Sequence, residues 1–272
     1  MKTETIQRGA LRLTPCSYGL SKLSFRGPRR PSDGRYIAFL GGSETFGKYI
    51  PQPFPDLIET AIGEVCINLG CQAAGPDVFL QDTAIQSLCH DAAMTVIQMP
   101  GAANQSNAFY RVHPRRNDRF IAPSEKLVAL YPEVDFAEIA FTGHLIERLR
   151  AIDDVRFEVV CQHLQDTWVR RMKTLIKQTS GPVLLLWLAS RRPQDTSIGI
   201  HPSVHPAFVT REMVEALRPY AADIIEVVAE RGDLEGMQFA PLDTLTAQDT
   251  LGVSAHAAAA KALRGPLMHG LS

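Results

Sequence analysis

Five short apolar runs punctuate the chain: "YIAFL" from Tyr36, then "EVCINLG", "MTVIQMP", "PVLLLWLA" and "DIIEVVAE". Each is apolar on both faces instead of alternating, the pattern of strands in a parallel sheet covered by helices on both sides. Helical patterns separate them. Pro55 opens the first, where Leu57, Ile58, Ala61 and Ile62 form one stripe and Gly63 marks the end. From Asp135 to Gly181 the pattern is mostly helical, with Asp135 and Glu138 spaced as a capping box. Phe157, Val160, Leu164, Trp168, Met172 and Leu175 then recur every three or four residues. Thr210 is placed to cap "REMVEAL" before Pro219, and Ser254 to cap a last helix, "AAAAKALRG". The β-α-β-α series predicts an α/β fold, a doubly wound three-layer α/β/α sandwich on a mainly parallel five-stranded, flavodoxin-like sheet.

The chain of 272 residues suits a single α/β domain over 1–272. Residues 1–34, ending in "FRGPRRPSDGR", read as an arm wrapping the sheet, and 105–180 as a largely helical insertion. Within it, 106–132 is the most irregular stretch, the signature of a lid or binding loop. The 28 basic and 29 acidic residues nearly cancel, so no global charge draws the protein to nucleic acid or an anionic membrane. The opening residues hold no signal-peptide core, and no apolar run reaches the length of a membrane span. The five cysteines are odd in number and form no C-x-x-C pair. A cytoplasmic protein with reduced thiols, without bound metal or cofactor, is the expectation.

The first apolar run leads into "GGSETFGKYIPQPFP". Gly42 to Lys48 satisfies G-x-x-x-x-G-K, a phosphate-binding loop when it joins strand to helix. The following Ser or Thr is replaced by Tyr49, and prolines 51, 53 and 55 forbid the long helix whose amides would hold phosphates. The alternative is a nucleophile turn. Ser43 sits just past the carboxyl end of a strand, where open α/β sheets place ligands, and Gly41 and Gly42 permit a sharp bend. Serine is also ordinary turn chemistry.

The order G-G-S-E-T-F-G, "PFPDLIETAIG", "VCINLGCQAAG", "MTVIQMPGAAN" resembles the first three sequence blocks of the SGNH, or GDSL-type, hydrolase superfamily over residues 36 to 107. The whole chain also looks like a bacterial family, with no assigned activity, marked by stretches such as "SNAFYRVHPRRNDRF". The SGNH resemblance implies a serine esterase or acyl transferase acting on a small-molecule ester. It makes Ser43 the nucleophile, with the Ser43 and Gly70 amides and the Asn104 side chain as oxyanion donors. Thr45 belongs to the same turn and is carried as a substrate-binding residue, as is Lys48. Three departures stand against it. Gly42 and Gln105 occupy positions where the family carries Asp, and the D-x-x-H block is absent. In its place Asp249 precedes His256 by seven residues.

A serine hydroxyl needs a base within hydrogen-bond reach. His256, in the first turn of the last helix with Asp249 or Asp243 to orient it, is the first candidate; helix-start packing is its ordinary alternative. His201 and His205 in "GIHPSVHP" are the rival pair, on a Pro-rich loop without the further ligands a metal needs. Arg111, Arg115, Arg116 and Arg119 cluster around His113, so the arginine forks suit an anionic carboxylate or phosphate on the substrate. The cluster is too short and too poor in stacking aromatics for nucleic acid. Two other classes remain open: a non-catalytic protein binding a small anion or sugar at the sheet end, and a group transferase using a nucleotide donor through Lys48 and the arginines.

Overall fold

A computed structural model describes residues 10–194 and 205–271. Its described strands are β1 (Pro15–Cys16), β2 (Phe25–Arg26), β3 (Tyr36–Gly41), β4 (Val65–Gly70), β5 (Met94–Gln98), β6 (Tyr110–His113), β7 (Arg116–Pro123), β8 (Val183–Ala189) and β9 (Asp223–Val228). The described helices are α1 (Ser43–Phe46), α2 (Phe54–Ile62), α3 (Pro76–Leu80), α4 (Thr83–Asp91), α5 (Glu125–Leu130), α6 (Thr142–Ile152), α7 (Asp154–Lys177), α8 (Arg211–Glu215), α9 (Thr244–Gln248) and α10 (Val253–Leu271).

All five apolar runs become strands of one sheet, ordered β4-β3-β5-β8-β9 and parallel at every pairing. The order reverses next to β3, between β4 and β5. Such a switch point opens a crevice at the carboxyl ends of the strands. Side chains alternate across the sheet as a period of two demands. Ile37, Phe39, Val96 and Leu186 pack with α2 and α10 on one side. Tyr36, Ala38, Leu40, Leu185 and Trp187 pack with α4 and α7 on the other, completing the three-layer α/β/α sandwich.

The helix signals hold in part. α2 carries Pro55 in its first turn and ends at Gly63 in the left-handed conformation. Thr210 caps α8 through the Met213 amide. The stripe from Phe157 to Leu175 is buried along α7. Asp135, by contrast, caps only a 3-10 turn, Phe136–Glu138, because its carboxylate receives the Ala137 amide and the chain turns away after one turn. Asp153 interrupts the long helical stretch in extended conformation and caps α7 through the Arg156 amide. Ser254 bonds the Asp233 carboxylate, so it is a residue of the first turn of α10 and not its cap. The irregular stretch after Ser106 is largely a bulged antiparallel hairpin, β6–β7.

One close approach sets the crevice. Gly41 and Gly70, the last residues of β3 and β4, are register partners. A Cβ on Gly70 would lie 2.4 Å from the Phe46 nitrogen, and one on Gly41 would lie 2.0 Å from Thr45 Oγ1. The single turn of α1 therefore sits directly on two bare strand ends.

Gly70→Ala is expected to destabilise the fold by about 1–3 kcal/mol or more, because backbone atoms must move to admit the methyl. Gly34→Ala, whose Cβ meets nothing within 4 Å, is expected to stay within about 0.5 kcal/mol. Urea unfolding of the two variants against the parent measures the contrast.

Candidate active site

Ser43 opens α1, and its amide has no helical partner there. Its hydroxyl oxygen accepts a 3.1 Å hydrogen bond from the Ala73 amide. Buried amide side chains hold this turn from below. Gln98 Oε1, at the end of β5, accepts the Gly42 amide at 2.7 Å and the Thr45 hydroxyl at 3.4 Å. Asn68 Nδ2 donates to the Thr45 carbonyl at 2.8 Å.

Thr45 is thus a buried strut and presents nothing to a substrate. The Gly70 amide is also already committed, donating to Asn68 Oδ1 at 2.9 Å. Glycine is required at 70 for space, and the main-chain donor facing Ser43 is Ala73, three residues further along. Ala73 adopts φ +53, a left-handed conformation unusual for alanine. No sequence signal marks it. Gln98 was more legible, as a lone amide closing an apolar strand.

Asn104, expected from the resemblance as a donor, lies near Ser43. It lines a chamber of about 100 Å³ with Ser43, Glu44, Ala73, Gln98 and His205. Its Oδ1 accepts from Thr142 Oγ1 at 2.6 Å and its Nδ2 donates to the Ala73 carbonyl at 3.0 Å, so the carboxamide orientation is fixed. One Nδ2 hydrogen is left for a ligand.

His256 is buried at the start of α10, stacked on Phe54. It touches the same region of the protein, lining a pocket of about 80 Å³ with Ser43 and Lys48. Its Nδ1, however, accepts the Phe54 amide at 3.2 Å. That bond leaves the proton on Nε2 and no ring lone pair for a serine hydroxyl. Burial, with Arg26 nearby, pushes its pKa down to about 3. Asp249 is exposed and, among the described residues, has no side-chain bond to His256. Asp243 is taken by Lys48, whose ammonium lies 3.3 Å from its carboxylate and 2.9 Å from the Tyr49 hydroxyl. His256 and Asp249 therefore do not form the acid–base pair expected from the sequence.

His201 lies outside the described residues, but His205 does not. It sits on the chamber wall beside Glu44. The surrounding protein holds its pKa below the ordinary imidazole range; the Glu44 carboxylate opposes that shift, while Arg231 and Arg191 add to it. A neutral ring near pH 7 can accept a proton.

On the other side of Ser43 opens a cleft of about 680 Å³, bounded by the arm and the β6–β7 hairpin and lined by Lys22, Arg26, Arg115 and Arg116. Arg119 is absent from it. Its side chain stacks on Phe141 at 4.0 Å. Asn117, buried within β7, holds the hairpin in place: its Oδ1 accepts the Gly75 amide at 3.0 Å and its Nδ2 donates to the His113 carbonyl at 3.0 Å. Cys71 also lines the cleft, but burial pushes its thiol up to about 12, so it supplies no thiolate. All five cysteines are free. Among the described residues no group of three metal-ligating side chains occurs, and no helix is long and apolar enough to cross a membrane.

The buried His256 is neutral in the folded chain, whereas the unfolded chain protonates it near pH 6.5. Protons thus favour unfolding between about pH 6.5 and 3. Stability is expected to fall on acidification through that window, by up to roughly 1.4 kcal/mol per pH unit. His256→Asn keeps an acceptor for the Phe54 amide and should flatten this slope in urea unfolding at pH 7 and pH 4.5.

Among solved structures the chain is similar to the lipase Lip_vut3 from a goat rumen metagenome, at 14% identity and TM-score 0.43, covering 85% of this chain and 96% of that one. It is similar also to a protein from Lactobacillus plantarum, at 12% identity and TM-score 0.38, covering 86% and 97%. No curated protein matches the sequence significantly. A family model does, across residues 1–271, and the chain belongs to that family, the domain of unknown function DUF6473.

Proposed function

We propose that the chain is a serine esterase of the SGNH type, or an acyl transferase of the same chemistry, with Ser43 as nucleophile and His205 as base. The observation that carries this reading is the Ser43 hydroxyl, 3.1 Å from the Ala73 amide, in one chamber with Asn104 and His205. Ser43 Oγ attacks the ester carbonyl carbon while the His205 ring takes its proton. The carbonyl oxygen becomes an oxyanion, held by the Ser43 and Ala73 amides and by Asn104 Nδ2. Such donors are worth roughly 3 kcal/mol each where charge develops. The C–O bond of the leaving alcohol breaks and His205 returns the proton to it. Water then releases the acid, or an acceptor alcohol takes the acyl group. Glu44 steadies the imidazolium that forms in between.

The chamber, about 100 Å³, is much smaller than the cleft. Its walls include Met99, Pro100 and Leu188. A short acyl group fits that space and a long chain does not. The alcohol side, free to depart, belongs in the open cationic cleft, in keeping with an anionic substrate.

Ser43→Ala is expected to lower hydrolysis of 4-nitrophenyl acetate by about a thousandfold or more, and His205→Ala by about 10²–10⁴. His256→Asn should retain most of the rate, and 4-nitrophenyl octanoate should be a poor substrate. Unchanged hydrolysis by the Ser43 variant, purified and folded by circular dichroism, would reject the nucleophile.

The lowered His205 pKa gives a further outcome. The ring becomes inactive only when protonated, so the acid limb of kcat/KM should lie below pH 6.5. Glu44→Gln removes the carboxylate that favours the imidazolium and should move that limb further down. A pH–rate profile of parent and variant reads both shifts.

A further inference from the structure

The cleft beside Ser43 has an unusual charge balance for a nearly neutral protein. Four cationic side chains, Lys22, Arg26, Arg115 and Arg116, line it with one carboxylate, Asp118. Arg26 is committed: it is buried and donates to the Gly47 carbonyl and, at 2.8 Å, to the Pro51 carbonyl, tying the arm to the segment after α1. Lys22, Arg115 and Arg116 are different. They are exposed, and among the described residues none has an ion-pair partner. Elsewhere in the molecule Arg30, Arg150, Arg156, Arg211 and Arg218 are each paired with carboxylates.

Lys22 and the two arginines come from opposite walls of the cleft. Lys22 lies on the arm, which Ser21 fastens to the body through Asp82 at 2.7 Å. Arg115 and Arg116 lie at the tip of the hairpin that the buried Asn117 fixes over the Ala73–Gly75 loop. Three cations without an ion-pair partner among the described residues therefore line one space, carried on two independently anchored elements. Like charges so arranged repel in the empty protein, and an oxyanion between them relieves that repulsion.

Resting on the serine-esterase reading, we propose that the cleft selects esters whose leaving alcohol carries a carboxylate or phosphate group, bound between Lys22 on one wall and Arg115 and Arg116 on the other. The short acyl group occupies the chamber. The released anionic alcohol departs through the cleft.

Three matched esters test the assignment: phenyl acetate, its 4-carboxylate and its 4-phosphate. The parent protein should show kcat/KM about tenfold or more higher for an anionic ester than for phenyl acetate, the equivalent of about 1.4 kcal/mol. The ratio should shrink between 20 mM and 500 mM NaCl, since exposed charges are screened. The carboxylate and phosphate arms tell which anion the cleft prefers. In the double variant Arg115→Glu, Arg116→Glu the ratio should collapse to about one or below, while Arg111→Glu, exposed on β6 outside the cleft, leaves it unchanged. A ratio near one in the parent, or one unaffected by salt and by charge reversal, would overturn the proposal while leaving the esterase reading intact. Should phenyl acetate not be turned over at all, calorimetry of pyrophosphate against the Ser43→Ala protein still decides the anion site: binding lost in the Arg115→Glu, Arg116→Glu background supports it, and absence of binding rejects it.

Discussion

The close seating of α1 on the paired ends of β3 and β4 is the constraint on which the rest of the crevice depends. Gly41 and Gly70 stand opposite one another in register, and a methyl on either would collide with atoms of the turn above. Because the two strand ends are bare, the chain can reverse within one helical turn and bring Ser43 over the sheet instead of beyond it. The same compression brings the loop after β4 close enough for the Ala73 amide to meet the Ser43 hydroxyl. A larger residue at either glycine would separate those two groups before it altered either one.

Buried amides then carry the polar load that this tight geometry creates. The backbone groups of the turn lie under cover and need partners there. Gln98 and Asn68 supply them from the two strands that flank β3, and Asn117 does the same for the amides that open α3. Neutral amides suit this task, since they both donate and accept without the desolvation that a buried charge would carry. They also transmit position: Asn117 sets the hairpin, and the hairpin carries Arg115 and Arg116 to the cleft. Asn104, gripped by Thr142 from α6, ties the helical insertion to the same point. The β4 loop, the hairpin and α6 thus help to define the walls around one hydroxyl.

Those walls divide the surroundings of Ser43 into chemically unlike spaces. The small chamber combines hydrogen-bond donors, a histidine and apolar walls; the open cleft is broad and cationic. A third recess, toward Lys48 and His256, contains a lysine already paired with Asp243 and a histidine already bonded to Phe54. That lysine and that ring nitrogen are already engaged, which suits structure more than chemistry. The bond from the Phe54 amide marks His256 as structural, which its sequence position does not reveal.

The sheet was legible because each strand is a short run apolar on both faces, a pattern that burial between two helical layers imposes locally. The sharp turn after β3 was legible for a similar reason: two consecutive glycines after a strand free the backbone to bend there. The order of the blocks drew notice to Asn104, and clustering to Arg115 and Arg116, which the fold places at the chamber and the cleft beside Ser43. Other features were not local. Gly70 and Ala73 exchange roles only because of how the β4 loop folds back over α1. His256 loses its lone pair to an amide some two hundred residues away in the chain, and Thr45 is buried against Gln98 and Asn68, which come from strands distant in sequence. Arg119 parts from its neighbours by stacking on Phe141, which a different segment brings to it. What the sequence alone determined was therefore which segments must be buried and where the backbone must bend, both set by solvation and steric limits within a few residues. Which polar atoms stay free to act was decided only by the tertiary structure, because a donor or acceptor is spent or spared according to the partner that long-range packing brings to it.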